Sequence, residues 1–165
     1  MPKKCQMNKT IYYYQYPFPI GKIMIACKDQ AIIYCGQPIL LENGIYENTD
    51  YLKNIAKQIE EYFQKRRQSF DFHYIFLKGT AFQKKVWQAV MDIPYGQTRS
   101  YRDIAEKIGH PRAYRAVGSA LRECPFSLLI PCHRVIGSSQ KLGGYGKDID
   151  VKIFLLQLEQ ADLVS

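Results

Sequence analysis

Ser100-Tyr101-Arg102-Asp103-Ile104-Ala105-Glu106-Lys107-Ile108-Gly109-His110-Pro111-Arg112-Ala113-Tyr114-Arg115-Ala116-Val117-Gly118-Ser119-Ala120-Leu121-Arg122 reads as two short helices joined by a turn. Ser100 and Asp103 have the spacing of a capping box, in which each side chain accepts from a free N–H at the helix start. Tyr101, Ile104, Ala105 and Ile108 then share one face. Gly109-His110-Pro111 closes the helix, because proline cannot continue it and glycine tolerates the turn. A second helix is predicted over 112–122. Ala113, Ala116, Val117, Ala120 and Leu121 gather on one side of it, and Arg112, Arg115, Ser119 and Arg122 on the other. The outer face therefore carries three arginines and no acid, and Gly118 and Ser119 allow close backbone approach. A basic face at helix-turn-helix spacing points to DNA. The competing reading is an ordinary amphipathic helix with a solvated basic side.

Upstream, Thr80 and Gln83 make another capping box, followed by Phe82, Val86, Ala89 and Val90 on one face until Ile93-Pro94-Tyr95-Gly96. Downstream, the apolar run Leu128-Leu129-Ile130 leads into Pro131-Cys132-His133-Arg134-Val135. A thiol near its free pKa of about 8.5 is inert, and neighbouring cations lower that value. An imidazole and a guanidinium beside Cys132 suit an activated nucleophile. In an extended segment Cys132 and His133 point to opposite faces, so the proton would leave through a water or a local turn. A buried structural cysteine is the alternative. A last helix is expected over 150–159, with Val151, Phe154, Leu155 and Leu158 on its inner face. Glu159 borders that stripe, where a carboxylate can hold an imidazole such as His133.

The first half has a different texture. Residues 11–14, 22–27 and 31–35 are β-branched and aromatic runs broken by Pro17, Pro19, Gly21, Lys28-Asp29-Gln30 and Gly36. Leu52, Ile55, Ile59, Tyr62 and Phe63 form a helical stripe over 50–66, with Lys65-Arg66-Arg67 as its solvated end. A strand around 73–77 would return to the sheet. The expected class is α/β (α+β), with a small sheet-and-helix domain over 1–78 and a mainly helical domain over 79–165.

The 165 residues, 47% hydrophobic and 23% charged, suit a globular chain of one or two small domains. No window is long and apolar enough for a membrane span, and Met1-Pro2-Lys3-Lys4 opens no secretory signal. Five cysteines (5, 27, 35, 124 and 132) without close pairs fit free thiols in a reducing compartment, cytoplasmic or nuclear. The net charge of +8 divides evenly about Gly79 and favours a polyanionic partner.

Taken in order, Gly79-Thr80-Ala81-Phe82-Gln83, Val86-Trp87, Ile93-Pro94-Tyr95-Gly96-Gln97-Thr98, Ser100-Tyr101, Ala105, Gly109, Pro111 and Arg115-Ala116-Val117-Gly118-Ser119-Ala120 carry a resemblance. It continues through Pro131-Cys132-His133-Arg134-Val135, Gly143-Gly144-Tyr145, Lys152, Leu155-Leu156 and Glu159. The second half resembles the O6-alkylguanine-DNA alkyltransferases, and the first half is similar, loosely, to that family's RNase-H-like domain. The resemblance implies DNA repair by direct reversal: irreversible, single-turnover transfer of the alkyl group from O6-alkylguanine, and from O4-alkylthymine, to Cys132. His133, held by Glu159, would take the thiol proton through water, and Tyr101 would press on a phosphate and protonate the leaving base. The helix-turn-helix would dock on the minor groove and the target nucleotide would swing out. Arg115 would fill its place, with Tyr101, Arg112, Ala116, Gly118, Ser119 and Arg122 against DNA. Leu121, Arg134, Val135, Tyr145 and Gly146 would line the base pocket. The implied partner is double-stranded DNA bearing the lesion, with no membrane, no cofactor, no metal and a monomeric protein.

Two positions depart from the family pattern. Cys124-Pro125 stands where an asparagine usually precedes proline, and Gly146-Lys147-Asp148 replaces further small residues. A zinc site using Cys5, Cys27 and His73 is a weaker option, because their spacing fits no compact motif. The rival readings are a non-catalytic alkylated-DNA sensor, which in related proteins has tryptophan in place of Cys132, a helix-turn-helix regulator with a thiol switch, and a thiol hydrolase.

Overall fold

The computed structural model describes residues 10–137 and 149–160. Two compact units emerge, Met1–Leu77 and Lys78–Ser165.

In the first unit, β1 (Ile11–Phe18), β2 (Gly21–Lys28), β3 (Ala31–Gly36) and β4 (Gly44–Tyr46) form a sheet in the order β3-β2-β1-β4. β1 runs past the expected Tyr14, through Pro17, because only Ile11–Tyr13 pair with β4. Beyond them its outer edge needs no N–H, which is where a strand tolerates proline. Asp29 and Gln30 both adopt positive φ (50° and 58°), the twist a tight hairpin between β2 and β3 requires. Residues 23–27 are buried on both faces. α1 (Asp50–Phe63) is capped by Thr49, whose hydroxyl accepts from Leu52 N, and buries Leu52, Ile55, Ile59 and Tyr62 as the stripe predicts. The helix ends sooner than expected: Lys65 turns left-handed at φ 60°, so the 65–67 basic run lies just past its C-terminus. The expected 73–77 strand reduces to one bridge, Ile32 with Tyr74, made by Ile32 N to His73 O (2.7 Å) and Ile75 N to Ile32 O (2.9 Å).

In the second unit both capping boxes form. Thr80 and Gln83 start α2 (Ala81–Met91), and Ser100 and Asp103 start α3 (Tyr101–Lys107). Gly109 (φ 84°) makes the turn toward α4 (Tyr114–Arg122). α4 begins two residues later than the sequence suggests, since Ala113 is the cap and makes no side-chain hydrogen bond. Trp87 of α2 is buried and donates from Nε1 to Ala120 O (2.8 Å), fastening α2 to α4. A Cβ on Gly79 (φ 128°) would sit 2.8 Å from the Trp87 ring, so that position requires glycine.

Two features were invisible in the sequence. β5 (Arg99–Ser100) pairs in parallel with β6 (Val135–Ile136), two residues each. This short ladder fixes the 131–135 segment beside the N-terminus of α3. Cys132–Arg134 is a 3₁₀ turn, not an extended segment, with Arg134 N donating to Pro131 O (2.9 Å). The opposite-faces expectation for Cys132 and His133 therefore does not apply.

The final helix, α5 (Ile149–Leu158), also turns a different side inward. Lys152, Leu155 and Leu156 are buried, with Glu159 one turn on, while Phe154 is 40% exposed and Val151 and Leu158 are half-buried. The inner stripe is thus 152, 155, 156 and 159, a proper helical spacing with charges at both ends.

Candidate active site and nucleic-acid face

The 3₁₀ turn and α5 meet in a buried polar array. His133 Nε2 lies 2.6 Å from Glu159 Oε2, and both side chains are fully buried. A carboxylate only accepts, so Nε2 carries the proton and Nδ1 is the bare, basic nitrogen. Nδ1 is buried with no hydrogen-bond partner among the described residues. Burial holds the His133 pKa below its usual value, outweighing the hydrogen bond and charge of Glu159, which push it up; Arg134 and Lys152 lower it further. The imidazole is therefore neutral at pH 7, in the form that can take a proton.

Glu159 is held from three sides. Arg134 donates from Nε to Oε1 (2.8 Å) and from Nη2 to Oε2 (3.1 Å), a two-pronged clamp, and Gly96 N donates to Oε1 (3.2 Å). Arg134 Nη1 donates to Ile93 O (2.8 Å), tying the clamp to the end of α2. Gly96 (φ 78°) is needed there, since a Cβ would meet Glu159 O at 3.2 Å.

Cys132 is buried, 6% exposed. Its thiol is pushed well above the ordinary range, first by a hydrogen bond with the Cys124 side chain and then by burial, and Lys152 opposes this only in part. The expectation of a thiol primed by its imidazole and guanidinium neighbours is thus corrected. Arg134 is spent on Glu159, His133 is neutral, and the sulfur rests as a thiol. Arg134 likewise faces Glu159 and the Tyr95 ring (5.7 Å to the centroid), so any contact with a base would come from its backbone.

Lys152 is 1% exposed and donates from Nζ to Val135 O (2.5 Å). Its ammonium lies 5.7 Å from the Tyr101 ring centroid. Burial lowers its pKa to about 8, against the raising influence of Cys132. Tyr101, at the first position of α3, is half-buried; burial raises its phenol pKa, partly offset by Arg122. Gly118 faces this ring, with room for ordinary contact only: a Cβ there would lie 3.7 Å away.

Arg112, Arg115, Ser119 and Arg122 are all exposed. Ala116 is exposed with them, not turned inward with Val117 and Ala120 as the helical wheel suggests. Gly118 and Leu121 are half-buried, Val135 is buried, and Tyr145 and Gly146 lie outside the described residues. Tyr114 adds an exposed aromatic to α4, with the Arg102 guanidinium 5.7 Å from its ring centroid. Among the described residues no three of His, Cys, Asp or Glu cluster as metal ligands; Cys27 is buried, His73 is exposed, and Cys5 lies outside them. No helix among the described residues is long and apolar enough to cross a membrane.

Residues 81–161 match the sequence profile of the 6-O-methylguanine DNA methyltransferase DNA binding domain, and residues 11–74 that of the same family's ribonuclease-like domain. The chain belongs to the 6-O-methylguanine DNA methyltransferase family. It is 43% identical over 158 residues to a methylated-DNA–protein-cysteine methyltransferase of Methanosarcina barkeri, covering 93% of this chain and 99% of that one. It is 39% identical to the constitutive enzyme of that name from Bacillus subtilis, over 90% of this chain and 95% of that one. Among solved structures, Mycobacterium tuberculosis O6-methylguanine methyltransferase superposes with a TM-score of 0.80 at 37% identity, covering 92% and 93% of the two chains. The Mycobacterium tuberculosis OGT in complex with DNA gives 0.82 at 37% identity, over 90% and 92%.

For this methyltransferase-family chain the fold gives three residues surroundings that local sequence pattern does not show. Lys152, named in the sequence only among the residues that carry the resemblance, is buried, and apolar periodicity cannot count a charge as buried. Cys124 was singled out as replacing the family's asparagine, and only the fold gives it a direct influence on the Cys132 thiol. Tyr114 was passed over beside three arginines.

Proposed function

We propose that this protein is a DNA-repair alkyltransferase that carries the alkyl group from O6 of guanine in duplex DNA to Cys132 and acts once per molecule. The observation that carries this reading is the buried His133–Glu159 pair at 2.6 Å, one residue from a buried thiol, in the same compact unit as the arginine-bearing helix. A neutral imidazole whose Nε2–H is donated to a carboxylate is a base at Nδ1. The Cys132 proton passes through a water to Nδ1, and Glu159 stabilises the imidazolium that results. The thiolate attacks the alkyl carbon; the S–C bond forms as the C–O bond breaks, and the electron pair leaves on guanine. Tyr101, kept protonated by its raised pKa, supplies a proton to the departing base. The thioether is stable, so the reaction ends there and needs no metal or cofactor.

A resting thiol suits this chemistry. A permanent thiolate would be consumed by any small electrophile, whereas one formed on engagement of the base is kept for its substrate. The lesion is out of reach inside a duplex, so the nucleotide swings into a pocket lined by Leu121, Val135, the Arg134 backbone, Tyr145 and Gly146. Arg115 takes the vacated space, and Arg112, Ala116, Gly118, Ser119 and Arg122 lie along the minor groove with Tyr101 on a phosphate. Neutralising three to five phosphates would give a log–log salt slope of about −3 to −5. O4-alkylthymine is a further substrate of the same site. The units function as domains 1–78 and 79–165, in a monomer of the cytoplasm, or of the nucleus in a eukaryotic cell. A sensor that binds without accepting the alkyl group is not favoured, since it has no use for a thiol at position 132.

The test is Cys132→Ala. It should bind duplex DNA containing O6-methylguanine with the same salt slope as the unaltered protein and remove no methyl. Continued demethylation by this variant would overturn the proposal.

A further inference from the structure

Arg102 does nothing for the stability of α3. It is the second residue of that helix, where a cation opposes the macrodipole. Glu106 lies one turn on, at ion-pair spacing, yet the Arg102 side chain makes no ion pair or hydrogen bond among the described residues. Asp103, the nearer acid, is committed to Ser100 N (2.8 Å). The guanidinium instead crosses to α4 and lies 5.7 Å from the centroid of the Tyr114 ring. Tyr114 opens α4 and is 40% exposed, so its ring adds little to the core and is free to carry that charge. One turn along α4, Gly118 faces the ring of Tyr101. Consecutive residues of α3 thus reach consecutive turns of α4, Tyr101 at position 118 and Arg102 at position 114. Both meet the helix that exposes Arg115, Ser119 and Arg122.

We propose that Arg102 grips a phosphate of the lesion-bearing strand, one or two positions from the phosphate under Tyr101, with Tyr114 as its positioning residue. This rests on the DNA-facing reading of Tyr101 and α4. Four residues of helix rise about 6 Å, and successive phosphates of one strand rise about 3.4 Å. The two side chains are therefore spaced for neighbouring or next-neighbouring phosphates. The ring covers one face of the guanidinium and leaves its edge N–H groups open, and those are the donors that match a phosphate. A cation–π contact restrains the side chain without neutralising it. Arg102 is thereby held in one orientation before DNA arrives, so less side-chain freedom is lost on binding. The grip reads no base, so it serves any flanking sequence. Held at two points of one strand, the backbone gives the target nucleotide a fixed axis about which to swing out.

The experiment follows duplex binding by fluorescence anisotropy across a salt series, using the full-length protein with lesion-free and O6-methylguanine DNA. Circular dichroism checks that each variant is folded. Arg102→Ala should make the log–log salt slope shallower by about 0.9 and weaken binding about 5–10-fold at roughly 0.1 M salt, equally for both duplexes. Tyr114→Ala keeps the charge, so it should leave the slope and weaken binding about 2–5-fold. Tyr114→Phe restores the ring and should recover that loss. Arg102→Ala combined with Tyr114→Ala should bind no more weakly than Arg102→Ala alone, because the ring acts only through the guanidinium. A neutral methylphosphonate at the gripped position of the lesion strand should weaken the unaltered protein and leave Arg102→Ala indifferent. An unchanged slope in folded Arg102→Ala, additive losses in the double variant, or equal sensitivity of both proteins to every methylphosphonate would overturn the proposal. If the slope falls as expected but the unaltered protein accepts no methyl, the phosphate grip stands and the alkyltransferase reading falls.

Discussion

Glu159→Gln separates the chemistry of the buried array from its structural part. The amide keeps one oxygen, which can still accept from Gly96 N and Arg134 Nε at the Oε1 position. At the other position an NH2 group now confronts two donors, His133 Nε2–H and Arg134 Nη2–H. Two charge-assisted bonds are lost, each worth about 1.5–3 kcal/mol. His133 can recover one by moving its proton to Nδ1 and accepting at Nε2. The Arg134 charge stays buried without a full partner, which is costly in itself. A net loss of about 2–4 kcal/mol follows. At roughly 4–8 °C per kcal/mol for a unit of this size, melting should fall by about 10 °C or more. The tautomer change also closes Nδ1, the nitrogen meant to receive the thiol proton. Removing such a base should slow transfer by about 10²–10⁴. The assay is single-turnover methyl transfer from duplex DNA, run cold enough that circular dichroism shows the variant folded. Arg134→Met serves as the comparison: it should lower melting while leaving the His133–Glu159 bond and most of the rate. If folded Glu159→Gln transfers within a few-fold of the unaltered protein, the carboxylate is only a clamp for Arg134 and the proton route is wrong.

Other outcomes follow from the same contacts. Cys124→Ala removes the largest influence raising the Cys132 thiol, so its titration, followed by thiolate ultraviolet absorbance, should move down and its reaction with iodoacetamide at neutral pH should quicken. Lys152 is harder to protonate folded (about 8) than unfolded (10.5), so the unfolded chain binds more protons between those values. The contribution of Lys152 to stability should therefore rise with pH from about 8 to 10.5, read in denaturant titrations at several pH values as a change in the difference between the unaltered protein and Lys152→Met across that window. His133 has the same sign in a lower window: its depressed pKa means stability is lost as pH falls from about 6.5 toward the folded value. Gly79→Ala drives a Cβ to 2.8 Å from the Trp87 ring at φ 128°, and should cost about 1–3 kcal/mol by urea unfolding without touching the site.

Local signals were the readable part of this chain. The boxes at Thr80–Gln83 and Ser100–Asp103, the α1 stripe and the turn at Gly109 each depend on residues within one helical turn, and each forms as expected. The basic face of α4 was legible because its arginines and small residues recur at helical spacing. What escaped depends on distant partners. A two-residue parallel ladder between Arg99–Ser100 and Val135–Ile136 has too few residues for a pattern, yet it sets the 131–135 segment. The inner face of α5 was misread because two of its four positions are Lys152 and Glu159, and burial of a charge is decided by what it meets. Val135 O and the Arg134 clamp supply those partners only once the chain has folded. The raised thiol of Cys132 belongs to the same class: adjacent cations in sequence suggested activation, but Arg134 turns to Glu159 and the neighbour that matters is Cys124.

The most direct measurement mixes the reduced protein with an excess of duplex DNA containing O6-methylguanine and follows intact mass, demethylated DNA and the modified peptide together. One methyl per protein is expected, on Cys132, with repair stopping at one equivalent. Methyl on Cys124 instead, or guanine restored beyond one equivalent, would contradict it.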